Sequence, residues 1–268
     1  MTVQNSKLLH YLPAINLQKE TEKIVSFLKT TFAAQRIERA VIGVSGGVDS
    51  TVSLYLLAQA LPPKNIFPLF LPFFKEEFVL KKTLAEQSGI PEGNFITLRI
   101  TTPVLEAAKA LGVETEDRGI VSKIRLGNIM VRIRMIYLFD QAKKHGALVC
   151  GTENKSERLL GYFTRFGDEA SDIEPIVHLY KSQIYELAKY LKVPEKIIKM
   201  PPSAGLWQGQ TDGGQFGFSY KQADQVLYLF FEKKLPMGKI VECGFKNAGK
   251  IIDFANFNLY KSIVPYKI

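Results

Sequence analysis

The sequence predicts an α/β fold in which a doubly wound, mostly parallel sheet carries helices on both faces. Two observations predict it. Short apolar or β-branched runs alternate with segments of helical spacing between residues 17 and 191, and this alternation favours a parallel sheet covered on both sides. The apolar fraction of 46% over 268 residues is ordinary for a globular protein and sufficient for a sizeable core.

Each predicted element has its own signal. Apolar or β-branched runs predict strands, which are 39–44, 65–74, 95–100 and 147–152. Helical spacing predicts the helices, which are 17–33, 48–61, 77–88, 103–111, 127–146 and 181–191. Pro62 and Pro63 end the second helix, and Gly146 ends the fifth. Pro68 and Pro72 limit the second strand.

We expect one domain over residues 1–268, because no repeat, linker or low-complexity tract interrupts the pattern. The least regular stretch, 201–219, is rich in glycine and is predicted to be a long mobile loop. Loops of this length inside compact domains are usually functional or mobile.

Composition narrows the functional classes. Two distant cysteines exclude a disulfide framework and a paired CxxC metal site, and they favour a reducing, cytoplasmic setting. No apolar run approaches the roughly 20 residues of a membrane span, so no membrane partner is expected. The net charge of +9 is spread along the chain. It is compatible with a solvated basic surface, nucleic acid or a polyphosphate substrate.

The segment SGGVDS, residues 45–50, lies where a predicted strand passes into a predicted helix. The first N–H groups of a helix lack internal partners and favour a bound anion. Gly46 and Gly47 let the backbone approach phosphate closely, and Ser45 and Ser50 add hydroxyl donors. Asp49 would repel phosphate unless Mg²⁺ lies between them. The alternative is a tight turn with Asp49 in the first helical turn.

SGGVDS is not the GxxxxGK[ST] loop, which the chain lacks. It resembles the pyrophosphate-binding loop (PP-loop) of ATP pyrophosphatases, which have the adenine nucleotide α-hydrolase-like fold. Four further segments resemble ammonia-dependent NAD synthetases: 127–135, 151–175, 179–188 and 201–212. The resemblance implies a homodimeric ligase of NAD biosynthesis without a glutaminase domain. Such enzymes adenylate the carboxylate of deamido-NAD with ATP, and ammonia then displaces AMP.

The resemblance also implies roles for individual residues. ATP binding falls to the loop and three later positions, namely Ser45, Gly46, Gly47, Val48, Asp49, Ser50, Thr152, Lys181 and Ser203. Mg²⁺ is the implied cofactor, with Asp49 and Glu157 as its ligands. The implied deamido-NAD contacts are Asn128, Arg132, Arg165 and Asp172. Asp49, Asp168 and Lys181 are the implied catalytic residues, with Asp168 beside the ammonia.

Two of these roles have a simpler alternative interpretation. Lys181 could be an exposed charge at a helix start, but the helix dipole disfavours a cation there, which favours a phosphate partner. Asp168 could belong to an ordinary acidic loop. The apolar stripe of helix 127–146 (Ile129, Ile133, Ile136, Phe139) is interpreted as core or dimer interface.

The sequence departs from the family pattern in two places. Residues 212–217 read DGGQFG where the family has a glutamate-rich form, and Tyr260-Lys261-Ser262 stands where it often has His-Lys-Arg. Two other hypotheses stay open, the first because of the net charge of +9 and the second because of these departures. One is another ATP pyrophosphatase, such as a tRNA-modifying enzyme, although no nucleic-acid partner is expected here. The other is a homologue that binds nucleotide without turnover.

Overall fold

The computed structural model describes residues 10–74, 81–115 and 119–267. Its strands are β1 (Arg39–Gly43), β2 (Ile66–Phe70), β3 (Ile96–Thr97) and β4 (Ala147–Cys150). Its α-helices are α1 (Leu17–Gln35), α2 (Val48–Ala60), α3 (Lys81–Ser88), α4 (Thr101–Ala110), α5 (Ile120–His145), α6 (Lys155–Leu160), α7 (Lys181–Tyr190), α8 (Glu195–Ile198), α9 (Asp212–Phe216), α10 (Tyr220–Leu227), α11 (Met237–Glu242) and α12 (Ala248–Asn258).

The sheet has the order β3-β2-β1-β4, and each neighbouring pair is parallel. In β1, Val41 pairs with Phe67 of β2 and with Val149 of β4. The central strand is therefore fully paired, as expected for a buried β-branched run. The predicted parallel sheet is confirmed.

Alternate residues of β1 point to opposite faces of this sheet, and helices cover both faces. Ala40 and Ile42 belong to the apolar core formed with α1, α2 and α7. Val41 belongs to the core formed with α4 and α5. This arrangement confirms the predicted doubly wound architecture.

A third apolar cluster lies in the C-terminal part of the chain. It joins Phe216 of α9 to α10 and α12, and Phe216 is buried against Tyr220 and Phe254. The helical spacing in the sequence predicts no helix beyond residue 191, whereas α8 to α12 follow that point. These helices have 4 to 11 residues. Helices this short depend on tertiary packing, which a periodicity test does not detect.

Several predicted boundaries are wrong. Helix α5 begins at Ile120 rather than residue 127, after Gly119 as N-cap. Strand β2 ends at Phe70, and β3 has two residues rather than six. Residues 77–80 of the third predicted helix lie outside the described residues. The stretch 201–219, predicted as loop throughout, contains α9, whose N-cap Thr211 accepts from the Gly214 N–H.

Among the helices that the structure describes, none has the combination of length and apolar character needed to cross a membrane.

Candidate active site

The site lies where the strand order of the sheet reverses. From β1 the chain continues to β2 on one side, and β4 lies on the other side. Because all these strands are parallel, the loops after β1 and β4 leave from the same edge of the sheet. Ligands of open α/β sheets bind in the crevice at such a point. The loop after β1 is SGGVDS, and the loop after β4 carries Thr152 and Glu153.

Hydrogen bonds inside SGGVDS shape it into a tight cradle. The Ser45 N–H donates to the Ser50 Oγ at 3.3 Å, and the Gly47 N–H donates to the Ser45 Oγ at 3.2 Å. Gly46 has a φ of +85°, a conformation that glycine adopts without strain. Gly47 is the N-cap of α2, so Val48 and Asp49 open the helix. The N-terminus of α2 is thus directed to the crevice, as an anion site requires.

A cavity of about 420 Å³ opens over this cradle. It gathers most residues that the resemblance assigns to ATP, metal and ammonia: Ser45, Gly47, Val48, Asp49, Ser50, Thr152, Glu157, Asp168, Lys181 and Ser203. Gly46 and the four residues assigned to deamido-NAD are not among its lining residues. One cavity therefore brings together positions from the N-terminal and C-terminal halves of the chain.

Lys181 bridges the two carboxylates assigned to the metal. Its Nζ lies 2.5 Å from the Asp49 Oδ2 and 3.2 Å from the Glu157 Oε1, and 4% of its side chain is exposed. Burial lowers the pKa of Lys181, but the charges of Asp49 and Glu157 outweigh burial and hold that pKa above its usual value. Burial raises the pKa of Glu157 to about 7, against the opposing charge of Lys181.

Asn154 holds the same two carboxylates from α6. Its Nδ2 donates to the Asp49 Oδ1 at 3.0 Å. Its side-chain oxygen accepts from the Glu157 N–H at 3.0 Å, and the Glu157 Oε2 accepts from the Asn154 N–H at 3.4 Å. This reciprocal capping box fixes the start of α6. Asn154 has no exposed surface. It was not predicted as a site residue.

Asp224 of α10 joins the starts of α6 and α7. Its Oδ1 accepts from the Ser156 hydroxyl at 2.5 Å, and its Oδ2 accepts from the Ser182 N–H at 2.8 Å and hydroxyl at 2.5 Å. The Ser156 Oγ in turn accepts from the Lys181 N–H at 2.8 Å. The positioning role of Asp224 was not predicted, because nothing in the local sequence pattern around residue 224 indicates these partners.

Two further acids, the buried Glu153 and the half-buried Glu174, lie beside the loop after β4. The Glu174 carboxylate accepts from the Glu153 N–H at 3.1 Å and from the Ser171 hydroxyl at 2.7 Å. Burial, together with the charge of Glu174, raises the pKa of Glu153 to about 8. Burial raises the pKa of Glu174 to about 7. Both acids lie inside the family-like segment 151–175, which was the available signal for them.

Asp168 also lines the cavity wall, where it keeps exposed surface. Its Oδ1 accepts from the Thr164 N–H at 2.7 Å. Desolvation by the surrounding cavity wall raises the pKa of Asp168 above its usual value. Lys261 secures the same segment from the C-terminal side, because its Nζ donates to the Gly161 and Phe163 carbonyls at 2.7 and 3.2 Å. Lys261 of the altered Tyr260-Lys261-Ser262 triplet therefore has a structural role, because it makes two hydrogen bonds to main-chain carbonyls.

The residues assigned to deamido-NAD lie together on α5 and the segment after α6. The Asn128 Oδ1 accepts from the Thr164 hydroxyl at 2.9 Å, and Arg132 donates to the Arg165 carbonyl at 3.3 and 3.2 Å. The Asp172 Oδ2 accepts from the Val149 N–H at 2.7 Å. Their role toward deamido-NAD stays a prediction.

The segment after residue 201 closes the cavity on another side. The Ser203 hydroxyl donates to the Gln210 carbonyl at 2.7 Å. The Tyr162 hydroxyl donates to Gln215 of α9 and lies 3.1 Å from the Asp212 Oδ1. Gln215, one of the departures from the family pattern, thus accepts a hydrogen bond that a glutamate could also accept.

Comparison with known proteins places this geometry in a family. A model of the NAD synthase family matches residues 20–265. An NH(3)-dependent NAD(+) synthetase of Fusobacterium nucleatum is 36% identical over 253 residues, which are 94% of this chain and 95% of the relative.

Solved structures agree. An NMN synthetase from Francisella tularensis has a TM-score of 0.77 at 32% identity, with 95% of this chain and 99% of that chain covered. An NH3-dependent NAD synthetase from Campylobacter jejuni, in complex with the nitrate ion, has a TM-score of 0.76 at 29% identity, with coverages of 95% and 100%. Since the family model and these relatives span nearly the whole chain, the protein belongs to the NAD synthase family.

Proposed function

We propose that this protein is a ligase that uses ATP and ammonia to convert the nicotinate carboxylate of deamido-NAD into the amide of NAD, with release of AMP and pyrophosphate. One observation carries the proposal: SGGVDS, which includes Asp49, lines the same cavity as Glu157 and Lys181. This cavity lies where the strand order of the sheet reverses. A phosphate cradle that contains a carboxylate suits a metal-bound polyphosphate.

Mg²⁺ fits the residues present. The Lys181 ammonium lies between Asp49 and Glu157, so the site already accommodates a cation. Mg²⁺ is commonly bound by one or two carboxylates together with substrate phosphates. Among the described residues, no three His, Cys, Asp or Glu side chains form a metal cage of their own. When bound, Mg²⁺ would neutralise charge on the departing pyrophosphate.

The chain's own residues then account for both steps. SGGVDS and Lys181 orient the polyphosphate, so that a carboxylate oxygen of the substrate can attack the α-phosphorus while pyrophosphate leaves. In the second step the ammonia nitrogen bonds to the acyl carbon, the C–O bond to AMP breaks, and nitrogen loses a proton. Asp168 lines the same cavity, and its carboxylate can accept that proton.

The experiment is an incubation of the protein with ATP, Mg²⁺, deamido-NAD and ammonium. We expect NAD, AMP and pyrophosphate, whereas ADP and phosphate would refute the proposal. Asp49→Asn should lose about a hundredfold in turnover, on the order of 3 kcal/mol of transition-state stabilisation. The exposed Asp253→Asn is the matched control and should retain wild-type turnover.

A second candidate is the same reaction on the mononucleotide, which would yield NMN. The similarity to the F. tularensis NMN synthetase favours it. A direct comparison of kcat/KM for the deamido mononucleotide and for deamido-NAD decides between the two candidates.

The proposed functional unit is a homodimer. Its support is a set of exposed apolar side chains on α5, which are Ile120, Val121, Ile124 and Ile136. Apolar residues gathered on one long helix are typical of an interface between subunits.

A further inference from the structure

Each oxygen of the two carboxylates assigned to the metal accepts one hydrogen bond from the protein. One oxygen of Asp49 accepts a hydrogen bond from the Asn154 side chain, and the other accepts one from the Lys181 ammonium. Glu157 likewise receives the Asn154 N–H on one oxygen and Lys181 on the other. The position between the carboxylates thus holds a cation that belongs to the protein.

The main chain of Lys181 is anchored. Its N–H donates to the Ser156 Oγ, and the next residue, Ser182, donates twice to Asp224. Asp224 has no exposed surface. Only the side chain of Lys181 can therefore change partner without disruption of the start of α7.

Displacement of the Lys181 ammonium by a metal ion alone would leave a buried charge without a partner. Such an unpaired buried cation is strongly unfavourable. A nucleotide changes the balance, because its phosphate oxygens offer the ammonium new partners in the same cavity. The phosphates also supply the oxygen ligands that two carboxylates cannot.

We propose that the Asp49–Glu157 pair takes a divalent cation only as a metal–nucleotide polyphosphate complex, with Lys181 moving from the carboxylates to the phosphate oxygens. This inference rests on the proposed function and adds the form in which the ligand is accepted. Lys181 is in this view both a phosphate contact and the resident cation of the ligand-free site.

The test measures Mn²⁺ binding by electron paramagnetic resonance, without turnover. Wild type, Lys181→Met and Lys155→Met are titrated with Mn²⁺ alone and with α,β-methylene-ATP present. Lys155 is the matched control, since it lies on α6 near Glu157 but pairs with Glu232. We expect Lys181→Met to bind Mn²⁺ alone at least tenfold more tightly than wild type, and Lys155→Met to match wild type. The nucleotide should raise Mn²⁺ affinity at least tenfold in wild type and less in Lys181→Met.

Equal Mn²⁺ affinity of wild type and Lys181→Met without nucleotide would overturn the inference and leave the proposed function intact. Absence of Mn²⁺ binding even with nucleotide would overturn both, because the carboxylate pair would then not be a metal site. Lys181→Gln, which retains a hydrogen-bond donor without the charge, replaces Lys181→Met if the latter does not fold, and the same outcomes apply.

Discussion

Asp224 illustrates how one buried side chain can position a site that it does not line. It accepts three hydrogen bonds from Ser156 and Ser182. These two serines adjoin Glu157 and Lys181 in the chain, so Asp224 sets the distance between the helices that carry them. It is therefore a positioning residue rather than a catalytic one.

Asp224→Asn should raise the KM for ATP and lower kcat/KM at least tenfold, because an amide has only one acceptor oxygen for three donors. The free energy of unfolding should also fall by roughly 2 kcal/mol. A purely structural role would leave the effect independent of Lys181. We instead expect the losses from Asp224→Asn and Lys181→Met to be less than additive in the double variant. Full additivity would contradict the positioning role.

Glu153 should make stability depend on pH. Its folded pKa of about 8 lies above the ordinary value of 4.5. The stability linked to this group is therefore fully present below pH 4.5 and is lost as pH rises through 8. Its Oε1 is buried and has no hydrogen-bond partner within the described part of the chain, which adds to the cost of the charged form.

Glu153→Gln removes this titration. Between about pH 5 and about pH 8, the free energy of unfolding of the wild type should decrease as Glu153 ionises. In Glu153→Gln this decrease should be smaller, by on the order of 2 kcal/mol. Denaturant unfolding at several pH values measures it. Glu242→Gln, at an exposed position, is the control and should follow wild type. Parallel curves for Glu153→Gln and wild type would show that Glu153 is ionised in the folded protein.

At the scale of elements, α9 contains two adjacent glycines in different surroundings. A methyl group at Gly213 would meet only the Phe218 carbonyl at 3.5 Å, an ordinary contact. At Gly214 it would lie 2.8 Å from the Thr211 Oγ1, which caps the helix. Neither glycine has a positive φ. The departure from the glutamate-rich pattern is thus not explained by a left-handed backbone.

Gly213→Ala should stabilise α9 by up to about 1 kcal/mol, because alanine has the higher helix propensity. Gly214→Ala should destabilise α9, because the methyl group displaces the cap. Limited proteolysis within 201–219 measures the difference: Gly213→Ala should be cut more slowly than wild type, and Gly214→Ala faster. Equal cleavage of the two variants would mean that α9 does not control access to this segment.

At the scale of the whole molecule, the apolar surface of α5 predicts association. Light scattering should give twice the chain mass of 30.2 kDa. Ile124→Glu should yield monomers, because a charge buried at an interface without a partner is unfavourable. The control is Phe257→Glu, since Phe257 on α12 is 81% exposed and lies away from α5 in sequence. A wild-type monomer with full activity would refute the dimer.

The local parts of this protein could be predicted from residues that are neighbours in the chain. The strand-turn-helix unit from β1 to α2 is contiguous, so the alternation of apolar residues and the glycines of SGGVDS indicate its shape. Strand β4 and helix α7 are likewise recognisable from their own residues. These predictions succeed because their physical causes act within about a dozen neighbouring positions.

Which distant residues come into contact depends on the three-dimensional fold. Asp49 and Lys181 are 132 positions apart, and Ser156 and Asp224 are 68 apart. Their proximity follows from the strand order, which places β4 beside β1, and from the packing of α10 against α6 and α7. The resident cation, the raised pKa of Glu153 and the short C-terminal helices all depend on burial among such partners. Burial is a property of the assembled fold, and no local pattern in the chain encodes it.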